Sequence, residues 1–191
     1  MIDEDAPYSL MAALEKVKGK GRPPIHLWHP DTIKDIDMVI KKDGTWMYMG
    51  TPITRRRLVH LFSTVLLKDK DEYFLVTPVE KCRIIVEDAP FQAVLLDNAG
   101  AGKNQVLKFT TDMAEEVNAG ADHQFRFEVN AETEEPAPYL MIRDGLEAKL
   151  SRSVYYQLAD LMVSESVNDE NWFGVWSDGM FFQMLKDKET K

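Results

Sequence analysis

The sequence predicts an α+β protein of two related halves, each built from antiparallel strands with one packed helix. The prediction rests on a series of features that occurs twice. A turn at Asp43 and Gly44 joins two apolar runs and precedes an amphipathic helix and a further strand, and the same series returns around Asp144 and Gly145. Repetition of turn, helix and strand in one order indicates duplication of a supersecondary unit.

In the first repeat, the Asp43-Gly44 turn predicts a hairpin, because both residues tolerate the backbone of a tight turn. A helix is predicted over 55–66, with Thr54 as its N-cap. Its apolar side chains recur at helical spacing and therefore share one face; they are Leu58, Leu61, Phe62, Val65 and Leu66. Apolar runs predict three strands after this helix, at 73–77, 82–87 and 91–96.

The chain between the two repeats predicts further strands at 106–110 and 124–130. They flank an acidic run at 112–117, which we interpret as helical. The segment 131–138 holds two prolines and three glutamates. Because proline cannot donate to a strand ladder, this composition predicts an exposed loop.

The second repeat follows that loop. Its helix is predicted at 153–164, with Val154, Leu158, Leu161 and Met162 on the buried face. The chain then closes with a predicted hairpin of Trp172–Trp176 and Met180–Leu185 around a Ser-Asp-Gly turn.

These elements predict three parts of the chain. Residues 1–24 form a short amphipathic helix at 9–18 and a linker rich in glycine and proline. Residues 25–97 form the N-terminal repeat domain and 98–191 the C-terminal one, because the glycine-rich stretch from residue 97 to 104 is the most loop-like part of the middle of the chain.

Composition restricts the class of protein. The formal net charge of −9 over 191 residues argues against sequence-blind binding to a phosphate backbone, which needs many lysines and arginines. One cysteine cannot form an internal disulfide. No apolar run approaches the roughly 20 residues of a membrane helix, and the N-terminus is acidic where a signal peptide is basic. We therefore expect a cytoplasmic protein that does not insert into a membrane.

The motifs of common catalytic and metal sites are incomplete. Gly102 and Lys103 resemble the end of a phosphate-binding loop, but Asp97 and Asn104 occupy two of its defining positions. The histidines are scattered, and Cys82 is predicted inside a strand, where a buried apolar role fits better than a nucleophilic one. The sequence thus predicts no catalytic residue, no metal and no cofactor.

Two clusters suggest binding instead. Arg55, Arg56 and Arg57 are expected at a helix N-terminus, where positive charge is unfavourable, so another use is indicated, such as an anion or a partner. The alternative is that acidic loops neutralise them, for instance through Glu80, Glu87 or Asp88. The second cluster combines arginine and tyrosine, residue types that anchor interfaces, although tyrosines at helical spacing also occur at the edge of a core; it holds Tyr139, Arg143, Arg152, Tyr155 and Tyr156.

Several longer segments of the sequence are similar to those of one bacterial family, which is catalogued as domain of unknown function twelve-eighty-five. In the first half these are the runs 50–53, 55–62, 75–81 and 86–91, and in the second half 138–139, 145–148, 151–156 and 176–179, with Arg143. The resemblance implies a duplicated core whose C-terminal half is loosely similar to a pleckstrin-homology fold. It also implies a site at the interface of the halves for a protein or nucleic-acid partner, with a role in signal transduction.

We therefore expect a binding or regulatory protein rather than an enzyme, with its site where the two halves meet. The expected binding residues are Arg55, Arg56, Glu80, Asp88, Arg143, Arg152, Tyr155 and Tyr156. The alternative is an enzyme for a small anionic substrate, in which Arg55 or Arg56 holds the substrate and Glu80 or Asp88 acts as the general base.

Overall fold

The computed structural model describes Leu10, Ala12 and residues 22–129 and 136–187. The chain divides into two compact units, Met1–Pro90 and Phe91–Lys191. The division after Pro90 lies earlier in the chain than the boundary that the sequence suggested after residue 97. The glycine-rich stretch at that predicted boundary is a hairpin loop inside the second unit and not a linker. Most of the predicted helix at 9–18 and its linker lies outside the described residues; Leu10 and Ala12 are helical, and Leu10 is buried.

A six-stranded sheet forms the framework of the N-terminal unit. Its strands are β1 (Ile33–Ile40), β2 (Trp46–Tyr48), β3 (Thr51–Pro52), β4 (Leu66–Asp69), β5 (Glu72–Val76) and β6 (Lys81–Val86). They lie in the order β3-β2-β1-β6-β5-β4. Each half of the sheet is an antiparallel meander, and the two meanders meet at the parallel pair β1 and β6.

Helix α1 (Arg56–Thr64) connects the two meanders. The predicted helix is confirmed, but its N-cap is Arg55 rather than Thr54, and it ends before Leu66, which begins β4. The ring of Phe62 is fully buried and stacks on that of Trp46, with 6.4 Å between ring centroids. This contact packs the helix against β2.

A second six-stranded sheet forms the framework of the C-terminal unit. Its strands are β7 (Phe91–Ala99), β8 (Val106–Thr111), β9 (Glu116–Asn118), β10 (Phe125–Val129), β11 (Pro136–Arg143) and β12 (Leu146–Leu150). They lie in the order β10-β11-β12-β7-β8-β9, with β12 and β7 as the parallel pair.

The two sheets have the same connectivity, which shows the duplicated unit. Adding six to each strand number of the N-terminal sheet gives β9-β8-β7-β12-β11-β10, which is the C-terminal order from its opposite edge. The parallel pair of β1 and β6 thus corresponds to that of β7 and β12.

This correspondence differs from the alignment of repeats that the sequence suggested. Asp43 and Gly44 connect the first and second strands of their sheet, whereas Asp144 and Gly145 connect the fifth and sixth of theirs. Helix α1 also lies between the third and fourth strands, while the second helix follows the sixth. Asp-Gly turns suit any tight hairpin, so local pattern alone matched two hairpins that are not equivalent.

The C-terminal unit continues beyond its duplicated sheet. Helix α2 (Arg152–Asp160) follows β12, and a small antiparallel sheet comes next, with β13 (Val163–Val167), β14 (Glu170–Ser177) and β15 (Met180–Lys186). The predicted helix and closing hairpin are therefore confirmed. Val154 and Leu158 are buried as predicted, whereas Leu161 and Met162 lie past the end of the helix and are half-buried.

Aromatic contacts join the small sheet to the large one. The ring of Phe125 on β10 lies edge-on to Phe109 on β8 and Phe182 on β15, at centroid distances of 5.4 and 5.1 Å. The Ser177 hydroxyl accepts a hydrogen bond from the Leu107 amide and donates one to the Ala119 carbonyl. The apolar area that these aromatic rings bury is the main stabilising term of such a core.

Two sequence expectations for this unit are wrong. The run 112–117 is not a helix; it turns through Ala114 at φ 60 and enters β9. Pro136 and Pro138, predicted in a loop, belong to β11. Their strand pairs with β10 on one side, while its pairing with β12 stops at Tyr139, so prolines are tolerated there as they are at a sheet edge.

The topology does not confirm the resemblance of the C-terminal half to a pleckstrin-homology fold.

Candidate functional site

Three of the predicted binding residues meet in one groove on the C-terminal unit. Arg152, Tyr155 and Tyr156 of α2 line a half-open groove of about 280 Å³. The other lining residues come from β11 and β12; they are Pro136, Pro138, Lys149 and Leu150. We call this the tyrosine groove.

The end of β12 creates the tyrosine groove. β12 stops at Leu150, and Ser151 then caps α2, its hydroxyl accepting from the Val154 amide at 3.4 Å. Such an N-cap satisfies one of the unpaired amides of the first helical turn. Because the chain turns from strand to helix here, no strand among the described residues pairs with the proline stretch of β11 on that side, and the first turns of α2 form the opposite wall.

Two adjacent tyrosines form the aromatic wall of the groove. The rings of Tyr155 and Tyr156 lie 6.2 Å apart between centroids, and Tyr156 is 53% exposed. Burial raises the pKa of the Tyr155 phenol, and the neighbouring Tyr156 adds to this shift. The Tyr155 phenol therefore stays protonated at neutral pH and can donate a hydrogen bond.

Arg152 is held against the aromatic wall. Its Nε donates to the Tyr156 hydroxyl at 3.1 Å, and its guanidinium carbon lies 5.6 Å from the centroid of that ring. An arginine over an aromatic face makes a cation–π contact. The guanidinium is thus oriented before any ligand arrives.

The tyrosine groove is locally cationic on an acidic chain. Lys149 and Arg152 line it, and none of its described lining residues is a carboxylate. Behind Lys149, the Tyr139 ring lies between the ammonium of Lys149, at 5.8 Å, and the guanidinium of Arg126, at 4.2 Å. Arg126 is paired with Glu147, which is the main reason that its pKa is raised.

Arg143 does not line the tyrosine groove. Its side chain is 7% exposed and pairs with the Glu115 carboxylate at 3.2 Å. Its guanidinium carbon also lies 5.3 Å from the centroid of the Phe91 ring. These contacts give Arg143 a structural role inside the C-terminal unit.

The other predicted residues belong to the N-terminal unit. Arg55 and Arg56 are exposed at the start of α1. Glu80 lies in the β5–β6 turn and pairs with Lys34 at 2.9 Å, and Glu87 pairs with Lys41 at 2.6 Å. Two of the acidic residues considered as partners for the arginines are therefore paired with lysines.

Asp88 follows β6 and is half-buried. That Arg55, Arg56, Glu80 and Asp88 join the C-terminal binding residues at an interface of the halves stays a prediction.

Sequence reasoning missed Pro136, Pro138 and Lys149 as lining residues of the tyrosine groove. The available signal was the alternation of buried Ala148 and Leu150 around Lys149, which is typical of a strand with one polar face.

The chain is similar to proteins of one family over almost all its length. Residues 23–89 match a domain of unknown function (DUF1285), N-terminal domain, and residues 90–184 match a protein of unknown function (DUF1285), C-terminal domain. The junction of these matches coincides with the division between the two units. A comparison with curated proteins gives no match. No helix in the described part of the chain is long and apolar enough to cross a membrane.

Two solved structures are similar to this chain. A DUF1285 family protein from Silicibacter pomeroyi DSS-3 is 47% identical, with 94% of this chain and 96% of that chain covered and a TM-score of 0.86. A second DUF1285 family protein, from Shewanella baltica OS155, is 31% identical, with 64% and 90% covered and a TM-score of 0.51. The chain therefore belongs to the DUF1285 family, whose function is unknown.

Proposed function

We propose that this is a binding or regulatory protein, acting in signal transduction, that holds a segment of a partner protein in its tyrosine groove. The observation that carries the proposal is the meeting of Arg152 with the exposed ring of Tyr156 at a cavity that also has an apolar lining. Tyrosine and arginine, with tryptophan, are enriched among the residues that dominate binding energy at protein interfaces.

The chemistry of the groove supports binding over catalysis. Its titratable lining residues are a lysine, an arginine and two tyrosines, and burial raises the pKa of Tyr155. A general base must be deprotonated near the working pH, and the raised pKa of Tyr155 disfavours that role for its phenol. The catalytic alternative named Glu80 or Asp88 as the base; Glu80 is paired with Lys34, and the role of Asp88 stays a prediction.

Charge supports a protein partner over a nucleic acid. Strong backbone binding to nucleic acid requires several phosphates to be neutralised at once. The groove offers two cations, and the whole chain carries a formal net charge of −9. Tyrosine and arginine also form stacking platforms for single strands, so an oligonucleotide belongs in the test.

The test is selection of displayed random peptides on the immobilised full-length protein. We expect enrichment on the wild type that is reduced by Tyr156→Ala and reduced further when Tyr155→Ala is added. The matched control, Lys42→Gln with Lys70→Gln, changes exposed cations on the N-terminal unit that are not among the expected binding residues and should retain enrichment. Circular dichroism checks that each variant is folded.

Two results would count against this function. Peptides that bind the tyrosine variants as well as the wild type place the binding elsewhere on the chain. A labelled single-stranded oligonucleotide that binds the wild type and is released by Tyr156→Ala assigns the groove to nucleic acid instead.

A further inference from the structure

We infer that the C-terminal unit has a second ligand site, a half-open cavity that binds a small organic cation. Its volume is about 500 Å³, within the range of about 300–1,000 Å³ that is usual for small-molecule sites. We call it the polar cavity, because most of its lining side chains are polar; they are Lys108, Glu116, Asn118, Asp122, His123 and Asp178. It shares no described lining residue with the tyrosine groove, so this site is independent of the proposed function.

Two turns meet at the polar cavity. In the β9–β10 turn, Gly120 and His123 exchange backbone hydrogen bonds of 3.1 and 3.3 Å, which places Asp122 near the tip. In the β14–β15 turn, the Asp178 amide donates to the Gln105 carbonyl at 3.0 Å, just before β8 begins. Backbone hydrogen bonds therefore hold both turns, and the cavity walls are fixed before a ligand binds.

His123 offers the cavity a hydrogen-bond acceptor. Its Nδ1 lies 3.0 Å from the carbonyl oxygen of Met141. A carbonyl oxygen can only accept, so Nδ1 carries the proton, and Nε2 of the neutral ring is an acceptor. No side chain or amide in the described part of the chain donates to this Nε2. Because His123 lines the cavity, that nitrogen is available to a donor on a ligand.

The charge of the polar cavity favours a cation. One lysine and three carboxylates give its lining a formal charge of −2. Lys108 pairs with Glu116 at 3.4 Å, whereas the described residues form no ion pair with Asp122 or Asp178. With the His123 nitrogen, these two carboxylates make the lining rich in acceptors. A ligand that carries both positive charge and N–H donors complements such a lining.

Gly120 brings the Asp178 carboxylate close to the backbone of the cavity wall. A Cβ atom at residue 120 would lie 3.1 Å from Oδ2 and 3.4 Å from Cβ of Asp178. The φ of Gly120 is not among the positive values of this chain, so this close approach, and not the backbone conformation, favours glycine here. Any larger residue would push the carboxylate away from its place in the wall.

The donor set suits an organic cation better than a metal ion. Metal sites need convergent ligands, and the described residues include no group of three or more histidine, cysteine or carboxylate side chains arranged to hold a metal. An organic cation carries its N–H donors on a larger frame, so its acceptors need not converge. An ammonium group has three donors, and two such groups match the charge of −2. We therefore expect a diamine or a related small amine.

The test is isothermal titration calorimetry of the full-length protein with 1,4-diaminobutane and with butane-1,4-diol, which has the same length and no charge. We expect the diamine to bind and the diol not to bind. Asp122→Asn with Asp178→Asn should weaken diamine binding at least about tenfold, because charge-assisted hydrogen bonds are lost. The matched control, Asp71→Asn with Asp97→Asn, removes two exposed carboxylates elsewhere and should leave binding unchanged.

Gly120→Ala is a second variant, which leaves the net charge as it is. It should weaken diamine binding because the Asp178 carboxylate is displaced, although by less than the double asparagine variant. Tyr156→Ala should leave diamine binding unchanged, since that residue lines the other site. Melting curves confirm that the variants are folded.

Four results would overturn the cation site. They are absence of diamine binding, equal binding of the diol, an equal loss in the Asp71 and Asp97 control, and full binding by Gly120→Ala, which would place the diamine outside the cavity. A short lysine-containing peptide that binds more tightly than the diamine would assign the cavity to a side chain of a protein, against a small molecule. Displayed peptides that depend on Tyr156 are measured separately, so the proposed function and the cation site can each fail alone.

Discussion

Arg143 and Glu115 form a shielded ion pair within the C-terminal unit, joined by three nitrogen–oxygen contacts of 3.2, 3.2 and 3.3 Å. Their side chains are 7% and 15% exposed. The pair connects the end of β11 to the turn before β9. Arg143, which the sequence predicted as a binding residue, therefore stabilises the sheet that carries the tyrosine groove.

Replacing Arg143 by leucine should lower the free energy of unfolding by about 3 kcal/mol. The physical reason is that the shielded Glu115 side chain would lose all three of its contacts with the Arg143 guanidinium. Urea unfolding at neutral pH measures the difference. The control is the double variant Arg143→Leu with Glu115→Leu, which should lose less than the sum of the two single variants, since neither charge remains. Additive losses would show that the two side chains are not energetically coupled.

Asp112 should make stability depend on pH in the acidic range. Its carboxylate accepts a hydrogen bond from the Gln92 amide at 3.0 Å, but burial raises its pKa above the ordinary value of 3.8, and the charge of Glu115 adds to the effect. Because the folded-state pKa is the higher one, the favourable contribution of the protonated group is complete below about pH 3.8 and is lost as the pH rises through the folded value.

Asp112→Asn should therefore be more stable than the wild type at pH 7, because asparagine keeps the acceptor oxygen and avoids the cost of ionisation. The advantage should shrink toward pH 4. Urea titrations at the two pH values test this. Asp97→Asn is a suitable control, since that residue lies on an exposed part of β7. An advantage that is constant with pH would mean that ionisation of Asp112 is not its cause.

Local patterns in the sequence predicted most individual elements, and the reason is physical. The apolar stripes of α1 and α2 and the hairpin of β14 and β15 depend on neighbours a few residues apart, so they can be read from the chain directly. Buried Cys82 in β6 is a similar case. In contrast, the equivalence of β1–β6 with β7–β12 depends on which strands pair, and strand pairing is a long-range property.

The tyrosine groove was only half predictable for the same reason. Arg152, Tyr155 and Tyr156 lie close together on one helix, so their clustering follows from helical spacing. Pro136 and Pro138 join them because β12 ends at Leu150, and no described strand pairs with β11 on that side beyond Tyr139. Proline is tolerated at the edge of a sheet, but which part of a strand lies at an edge depends on long-range strand pairing, which local sequence patterns do not show.

Gly174 should be intolerant of any side chain. A Cβ atom there would lie 2.2 Å from the carbonyl oxygen of Phe182 and 2.7 Å from the ring of Phe181. Because the nearest atom is backbone, the strand itself would have to move, and we expect Gly174→Ala to cost about 3 kcal/mol. Thermal or urea unfolding measures this loss.

Gly179→Ala is the matched control for Gly174. A Cβ at Gly179 meets nothing within 4 Å, although its φ of +72 strains other residues, so a cost of only about 1 kcal/mol is expected. Equal losses for the two variants would contradict close packing of β14 on β15.

The Tyr155 phenol should titrate at higher pH than an ordinary tyrosine. Burial in the groove wall raises its pKa above 10.0, and the neighbouring Tyr156 adds to the shift, because a tyrosinate is poorly solvated there. The difference in absorbance of tyrosinate between wild type and Tyr155→Phe, recorded against pH, isolates this group. Tyr156→Phe supplies the comparison from the exposed neighbour.

Since the cause is burial, Tyr156→Ala should open the aromatic wall to water and bring the titration of Tyr155 back toward its ordinary value. A Tyr155 titration that starts at the ordinary value in the wild type would show that the aromatic wall is already open to solvent, and would weaken the case for a ligand packed against it.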